Sequence, residues 1–399
     1  MKVLFVTINE IRDINDNGIY HDLLRKFVEY GHLVYVATAL ERKNRKQTFL
    51  KTDNQVQILN IKTLNIQKTN WIEKGIGTLL IGYQFRYAIK KYFPSNNFDL
   101  VLYQTPTITF NKVVSYIKKR DNAFAYLLLK DIFPQNAVDI DLFRKSSLIY
   151  KFFRNKEKEL YIVSDKIGCM SPANVKYLLE HNKYIPESKV EVCPNSIEPI
   201  KLSEITVNKL EVRNKYNLPN DKIIFVYGGN LGQPQGIDFL IEVLESNKNN
   251  PNCFFLIVGD GTEYKKIETW FNFIKPNSAR LIRFLPKNDY DNVLKACDVG
   301  MIFLDVRFTI PNFPSRMLSY MEFKLPIIAS TDLSSDIKDT LKTGDFGFWS
   351  KSGNLVEFNK NLDKLSDKLT RGRMGENART FLEKNYTSDI NYKIIMKNF

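Results

Sequence analysis

The chain has 399 residues, 44% of them hydrophobic and 13% aromatic, more than one core usually organises, which argues for two folded domains and against disorder. The formal net charge of +14 is spread along the chain and implies an anionic partner (nucleic acid, sugar nucleotide or acidic membrane surface), although a Lys-, Asn- and Ile-rich composition accounts for part of it. No apolar run reaches the roughly 18 residues of a spanning helix, and residues 1–8 are too short for a signal peptide and lack a cleavage site, so a cytoplasmic protein is expected.

In chain order, apolar and β-branched runs predict strands over 3–8, 33–38, 55–61, 100–103, 124–129 and 166–170, separated by amphipathic stretches. Strand alternating with helix is the pattern of a largely parallel sheet covered on both faces. It gives way at Pro194-Asn195-Ser196, and a polar stretch reads as a linker over 197–220 between domains 1–196 and 221–373. The alternation restarts with strands over 223–227, 254–258, 281–285, 299–304 and 327–329 and helices over 237–246, 263–273, 290–297 and 316–323. The expected fold class is α/β, two doubly wound Rossmann-like units with ligands at the carboxyl ends of their strands and a cleft between them.

Cys169, Cys193, Cys253 and Cys297 stand alone beside apolar runs, without CxxC or a neighbouring His, as core residues of a reducing compartment do. His21, His32 and His181 are scattered, so no metal site assembles from sequence neighbours. The triplet Asp139-Ile140-Asp141 reads as a solvated loop, since such triplets are frequent by chance.

Between the strand over 223–227 and the following helix lies Gly228-Gly229-Asn230-Leu231-Gly232-Gln233-Pro234-Gln235-Gly236. Bare backbone there lets amides approach a phosphate at the positive end of the helix, or serves only tight packing. Further junctions are Gly259-Asp260-Gly261-Thr262-Glu263, Arg283-Phe284-Leu285-Pro286 and Pro314-Ser315-Arg316. Ser315 reads as the N-cap of a helix starting at Arg316, so that free amides and a guanidinium converge where a diphosphate fits. In the first half, Lys130-Asp131-Ile132-Phe133-Pro134-Gln135-Asn136 follows a buried strand. Asp131 there either takes a hydroxyl proton or caps a turn. Residues 144–156 mix basic and aromatic side chains, as suits either anionic lipid or an ordinary amphipathic helix with its apolar face in the core.

The order and spacing of these junctions resemble the nucleotide-binding half of the GT-B glycosyltransferases, in particular retaining glycosyltransferase family 4. The Gly18 loop and the Asp131 segment resemble the acceptor half, the latter being similar to bacterial capsule and O-antigen transferases of the N-acetylfucosamine transferase type. The resemblance implies that Gly229, Asn230 and Gly232 lie against the donor diphosphate, Gly259 and Glu263 line the nucleoside pocket, and main-chain groups at Phe284 and Leu285 meet the base. It further implies that Arg316 binds phosphate and that Gly18 lets the first loop approach the sugar.

Three departures from the family pattern involve five positions. Asn230 and Gln235 stand where relatives carry an Arg and a Lys, which leaves the charge to Arg316 or another group. The paired glutamates map to Pro311 and Ser319, leaving Ser319 or the nearby Glu322 to reach a sugar hydroxyl. Asp131 stands for a histidine. The tail 374–399 resembles the helix that crosses back to the first domain.

The function so implied is retaining transfer, without metal or other cofactor, of an N-acetylated or 6-deoxy amino sugar. The donor is a UDP-sugar and the acceptor a polyprenyl-diphosphate-linked glycan, in capsule or O-antigen biosynthesis, with the enzyme peripheral on the inner face of the cytoplasmic membrane. A sugar-nucleotide 2-epimerase of the same fold would need histidines gathered at strand ends. A dehydrogenase would need G-x-G-x-x-G after the first strand, where Asn15-Asp16-Asn17-Gly18 stands, and a nucleic-acid-binding protein would need a recognisable binding motif.

Overall fold

A computed structural model of the chain describes residues 1–66, 69, 71–204 and 206–399. It divides into two compact units, Met1–Glu198 with Ser388–Phe399, and Pro199–Thr387.

The first unit runs β1 (Lys2–Thr7), α1 (Ile19–Glu29), β2 (Leu33–Glu41), β3 (Phe49–Asp53), β4 (Val56–Thr63), α2 (Trp71–Tyr92), β5 (Leu100–Gln104), α3 (Asn111–Asp121), β6 (Phe124–Leu129), α4 (Gln135–Asp139), α5 (Leu148–Val163), β7 (Lys166–Cys169), α6 (Pro172–His181) and β8 (Val190–Val192). Its sheet has the order β3-β4-β2-β1-β5-β6-β7-β8. Pairing is parallel except at β3, which lies antiparallel to β4. β3 and the three-residue β8 have no counterpart among the predicted strands, because Phe49–Asp53 is largely exposed and carries no apolar alternation. Val3, Phe5, Val34, Val36, Leu100 and Leu102 form the core beneath α1. The order reverses between β1 and β5, so the loops leaving their carboxyl ends diverge and open a crevice.

The second unit runs α7 (Lys209–Lys215), β9 (Ile223–Asn230), α8 (Ile237–Ser246), β10 (Cys253–Asp260), α9 (Tyr264–Ile274), β11 (Ala279–Ile282), α10 (Lys287–Ala296), β12 (Val299–Phe303), α11 (Arg316–Glu322), β13 (Ile327–Thr331), α12 (Ile337–Gly344), β14 (Gly347–Lys351), α13 (Leu355–Lys364) and α14 (Lys368–Asn385). Its parallel sheet has the order β11-β10-β9-β12-β13-β14, reversing between β9 and β12. The polar stretch read as a linker holds α7, which Arg213 ties to the unit by donating to Asp298 at 2.7 Å.

The tail is two helices where one was read. α14 lies in the second unit, where Arg379 donates to the carbonyls of Glu322 and Ile200. α15 (Ser388–Met396) belongs to the first unit: Tyr392 meets Phe27 edge-on at 5.0 Å and stacks on Tyr30 at 4.2 Å, and its hydroxyl lies 2.8 Å from His32 Nε2. All four cysteines are buried and unpaired.

Candidate functional site

In the second unit the predicted residues gather at the carboxyl edge, on the segments that follow β11, β10, β9 and β12, four neighbours in the sheet. The glycine loop leaves β9 with Gly229 at φ 124, a left-handed conformation that favours glycine, and Gly236 at φ 55 before α8. Asn230 and Gln235, in the registers expected to carry cations, bind each other: Asn230 Nδ2 donates to Gln235 Oε1 at 2.9 Å, and the same oxygen accepts the Gly232 N–H at 3.1 Å. This neutral pair closes the loop on itself.

Arg316 lies beneath that loop. A Cβ on Gly229 would stand 3.4 Å from Arg316 Nη2, and the guanidinium carbon is 4.3 Å from the centre of the Tyr227 ring. The buried Nη1 has no hydrogen-bond partner among the described residues. A buried cationic donor left unpaired is costly, so an acceptor is needed there.

Two tyrosines far away in sequence complete the setting. Tyr320, on α11, accepts the Gly228 N–H at 3.1 Å and donates to the Met301 carbonyl at 3.2 Å. A Cβ at Gly228 would fall 1.7 Å from the Tyr290 hydroxyl, and one at Gly300 would fall 2.4 Å from the Tyr320 ring. These two glycines therefore admit two phenols. Burial raises the Tyr227 and Tyr290 phenols and pushes Tyr320 up to about 12, so all three remain neutral beside the guanidinium.

The structure corrects several details of the sequence reading. Of the two readings of the glycine loop, packing holds at Gly228, whose amide Tyr320 takes. Ser315 precedes α11 in helical conformation and makes no capping bond through its side chain. The Met317 and Leu318 amides donate to the Pro314 and Ser315 carbonyls, so they are not free for a diphosphate. Ser319 is half-buried on α11. Glu322 turns away from sugar chemistry: its buried carboxylate, raised by desolvation, accepts the Ile200 N–H at 3.0 Å. Gly259 has a packing reason, since a Cβ would lie 2.1 Å from the Gly229 carbonyl oxygen. The Glu263 amide donates to the Leu231 carbonyl at 2.9 Å, zipping the β10 junction to the glycine loop. Phe284 is 76% exposed and Leu285 half-buried in the segment between β11 and α10.

In the first unit Asp131 follows β6. Thr105 Oγ1, at the end of β5, accepts the amides of both Lys130 and Asp131 at 2.9 and 2.8 Å. Asn136, in the first turn of α4, donates to Asp131 Oδ1 at 2.8 Å and leaves its own buried Oδ1 without a partner among the described residues. Desolvation pushes the Asp131 carboxyl up to about 6, within reach of proton-accepting work near neutral pH. Lys130, pushed down to about 8 by burial, turns the other way and donates to the Cys193 and Pro194 carbonyls. Asn136 was legible as an amide five residues on from Asp131. Thr105, Tyr290 and Tyr320 had no local signal.

Gly18 begins α1 with extended backbone, and a Cβ there would lie 2.8 Å from His21 Nδ1, so close approach of this ring accounts for the glycine. Asp139 is no solvated loop residue: it is buried at the end of α4 and accepts from Gln135 Nε2 at 2.7 Å.

Comparison with known proteins agrees with this geometry. Residues 208–381 match the family model of glycosyl transferases group 1. Over 272 residues the chain is 24% identical to a probable glycosyltransferase, WbjE, of Pseudomonas aeruginosa, covering 66% of this chain and 65% of that one. It is also 24% identical over 205 residues to the UDP-Gal:alpha-D-GlcNAc-diphosphoundecaprenol alpha-1,3-galactosyltransferase of Escherichia coli, covering 49% of this chain and 50% of that one. The matched stretches thus span half to two thirds of these relatives. Sucrose-phosphate synthase from Thermosynechococcus elongatus superposes with a TM-score of 0.75 at 15% identity, covering 100% of this chain and 98% of that one. The chain therefore has the GT-B glycosyltransferase fold, and its residues 208–381 are similar to the glycosyl transferases group 1 family.

Proposed function

We propose that the protein is a retaining glycosyltransferase that moves a sugar from a UDP-sugar to a polyprenyl-diphosphate-linked glycan in bacterial capsule or O-antigen biosynthesis. The observation that carries this is Arg316: its buried, unpaired Nη1 beneath the exposed backbone of Gly229 suits the oxygens of a departing diphosphate. Gly232, Gly259, Glu263, Phe284, Leu285, Ser315 and Ser319 would frame the nucleotide and sugar around it. Asp131 would accept the proton of the attacking hydroxyl, and its raised carboxyl supports that role. The lipid-linked acceptor is supported by the Escherichia coli relative, whose name states a diphosphoundecaprenol acceptor and a UDP-Gal donor. The transferred sugar is taken to be N-acetylated or a 6-deoxy amino sugar.

No metal or other cofactor enters this reading, since Arg316 supplies the charge that a divalent ion would otherwise bring. The enzyme is placed in the cytoplasm, peripheral on the inner face of the membrane. Among the described residues no helix is long and apolar enough to cross a membrane. A panel of nucleotide sugars tested for slow hydrolysis identifies the donor: release of UDP from one amino sugar is expected, and indifference to every nucleotide sugar would overturn the proposal.

A further inference from the structure

Helix α2 is apolar on two faces. On one, Ile81, Phe85 and Ile89 are buried, and Phe85 meets Phe110 with ring centres 5.0 Å apart. Gly82 lets this face press on the turn before α3, since a Cβ there would lie 2.7 Å from the Thr109 carbonyl oxygen. The other face carries Ile76, Leu79, Leu80, Tyr83 and Tyr87, at spacings of three and four residues, each between 42% and 71% exposed. An apolar stripe on a helix ordinarily faces a partner rather than water.

Helix α5 is divided in the same way. Phe153 packs on Phe133 at 5.0 Å, next to the Asp131 segment, whereas Leu148 and Ile149 are exposed, Leu148 to 82%. Arg154, within the stretch that suited either lipid or an ordinary amphipathic helix, holds Glu157 at 2.6 Å and the His181 carbonyl at 3.1 Å, so it serves the fold. The two exposed faces adjoin through the start of α3. There Lys112 lies 4.2 Å over the Tyr83 ring and donates to its hydroxyl, and Asn111 donates to Glu159 of α5 at 2.6 Å. Residues 74–98 and 142–156 contain Lys and Arg but no Asp or Glu.

We propose that the outer faces of α2 and α5 together dock on an anionic lipid bilayer, with Ile76, Leu79, Leu80 and Tyr87 at the acyl boundary and the lysines among the headgroups. Charge selects this occupant. A second copy of a chain of net charge +14 would bring more positive charge to a face whose segments 74–98 and 142–156 carry no acid, whereas anionic headgroups neutralise it. Tyrosine suits the boundary because its ring is apolar and its hydroxyl stays wet. The inference rests on the reading of the acceptor as lipid-linked and adds which surface meets the lipid.

The test is co-sedimentation of the full chain with vesicles of phosphatidylglycerol and phosphatidylcholine, against phosphatidylcholine alone. Binding only to the anionic vesicles is expected. The variant Leu79→Glu with Leu80→Glu should weaken it roughly tenfold or more, since two apolar side chains leave the acyl boundary. Its UDP-sugar hydrolysis in solution should be unchanged, which separates failure of this proposal from failure of the transferase reading. Equal binding by parent and variant would overturn the proposal. So would a dimer in solution that the variant dissolves while vesicle binding persists. Tyr87→Trp, a mild change, guards against a misfolded variant: brominated anionic lipid should quench its added fluorescence, and unchanged emission would count equally against docking.

Discussion

Gly228 and Tyr290 define each other: a Cβ on the glycine would stand 1.7 Å from the tyrosine hydroxyl and 2.4 Å from its ring carbon Cζ. Tyr290 is half-buried and also interacts with Tyr320 and Arg316, so moving its ring away would disturb those contacts. Gly228→Ala should therefore destabilise the second unit by about 1–3 kcal/mol, the usual cost of overpacking. Tyr290→Ala in the same chain should recover part of that loss, giving the non-additivity expected of touching residues. Denaturant unfolding of the two single variants and the double variant measures it; strictly additive losses would show that the two side chains do not share this space.

This relationship also shows what was legible in the sequence. The strands β9 and β10 and the junctions after them were readable because apolar runs followed by glycine are local signals, and β12 was readable from its apolar run. Why the glycines are there was not local. Gly228 and Gly300 answer to Tyr290 and Tyr320, which meet them only once the sheet has formed. Ser315 was misread for a related reason: a serine before a helix usually caps it, but Pro314 and Ser315 already accept the first amides through tight turns. Glu322 looked available in sequence because nothing nearby announces Ile200. In the first unit the partner of Asp131 was near at hand in Asn136, whereas the exposed stripe of α2 was hidden by a second apolar stripe on the same helix.

The Asp131 carboxyl, pushed up to about 6 by desolvation, predicts the acid limb of the rate profile. Its basic form exists above that value, so sugar transfer should rise with pH through about 6 and level off beyond it. Asp131→Asn should cost roughly a hundredfold or more in kcat and abolish this limb. Asn136→Ala removes a bond that favours the charged form, so it should move the limb to higher pH with little change in the plateau. A pH profile of kcat for the three proteins decides the matter. An acid limb that persists in Asp131→Asn would move the proton acceptor elsewhere.

Turnover should survive chelation. The charge offered to a diphosphate here is the Arg316 guanidinium, already set beneath the loop at Gly229. Transfer assayed in EDTA should match transfer in Mg²⁺ or Mn²⁺ to within about twofold, well below the several kcal/mol a Lewis-acid ion contributes. Complete loss in EDTA with recovery in Mn²⁺ would contradict the metal-independent reading.

Arg316 should be the principal cation on the donor diphosphate, because Asn230 and Gln235 satisfy each other and carry no charge. Arg316→Ala should cost about 3–4 kcal/mol of transition-state stabilisation, as loss of one preorganised electrostatic contact does. Arg316→Lys should restore only part of it, since an ammonium cannot make the forked contact of the guanidinium, whose carbon now stands 4.3 Å over the Tyr227 ring. Asn230→Arg with Gln235→Lys, made in the alanine variant, breaks the neutral pair and places charge on the loop. It should recover activity if the loop and Arg316 face the same phosphates. The measurements are kcat/KM for the identified donor and the affinity of free UDP. Parental transfer and parental UDP affinity in Arg316→Ala would place the diphosphate away from Gly229 and remove the basis for the proposed donor site.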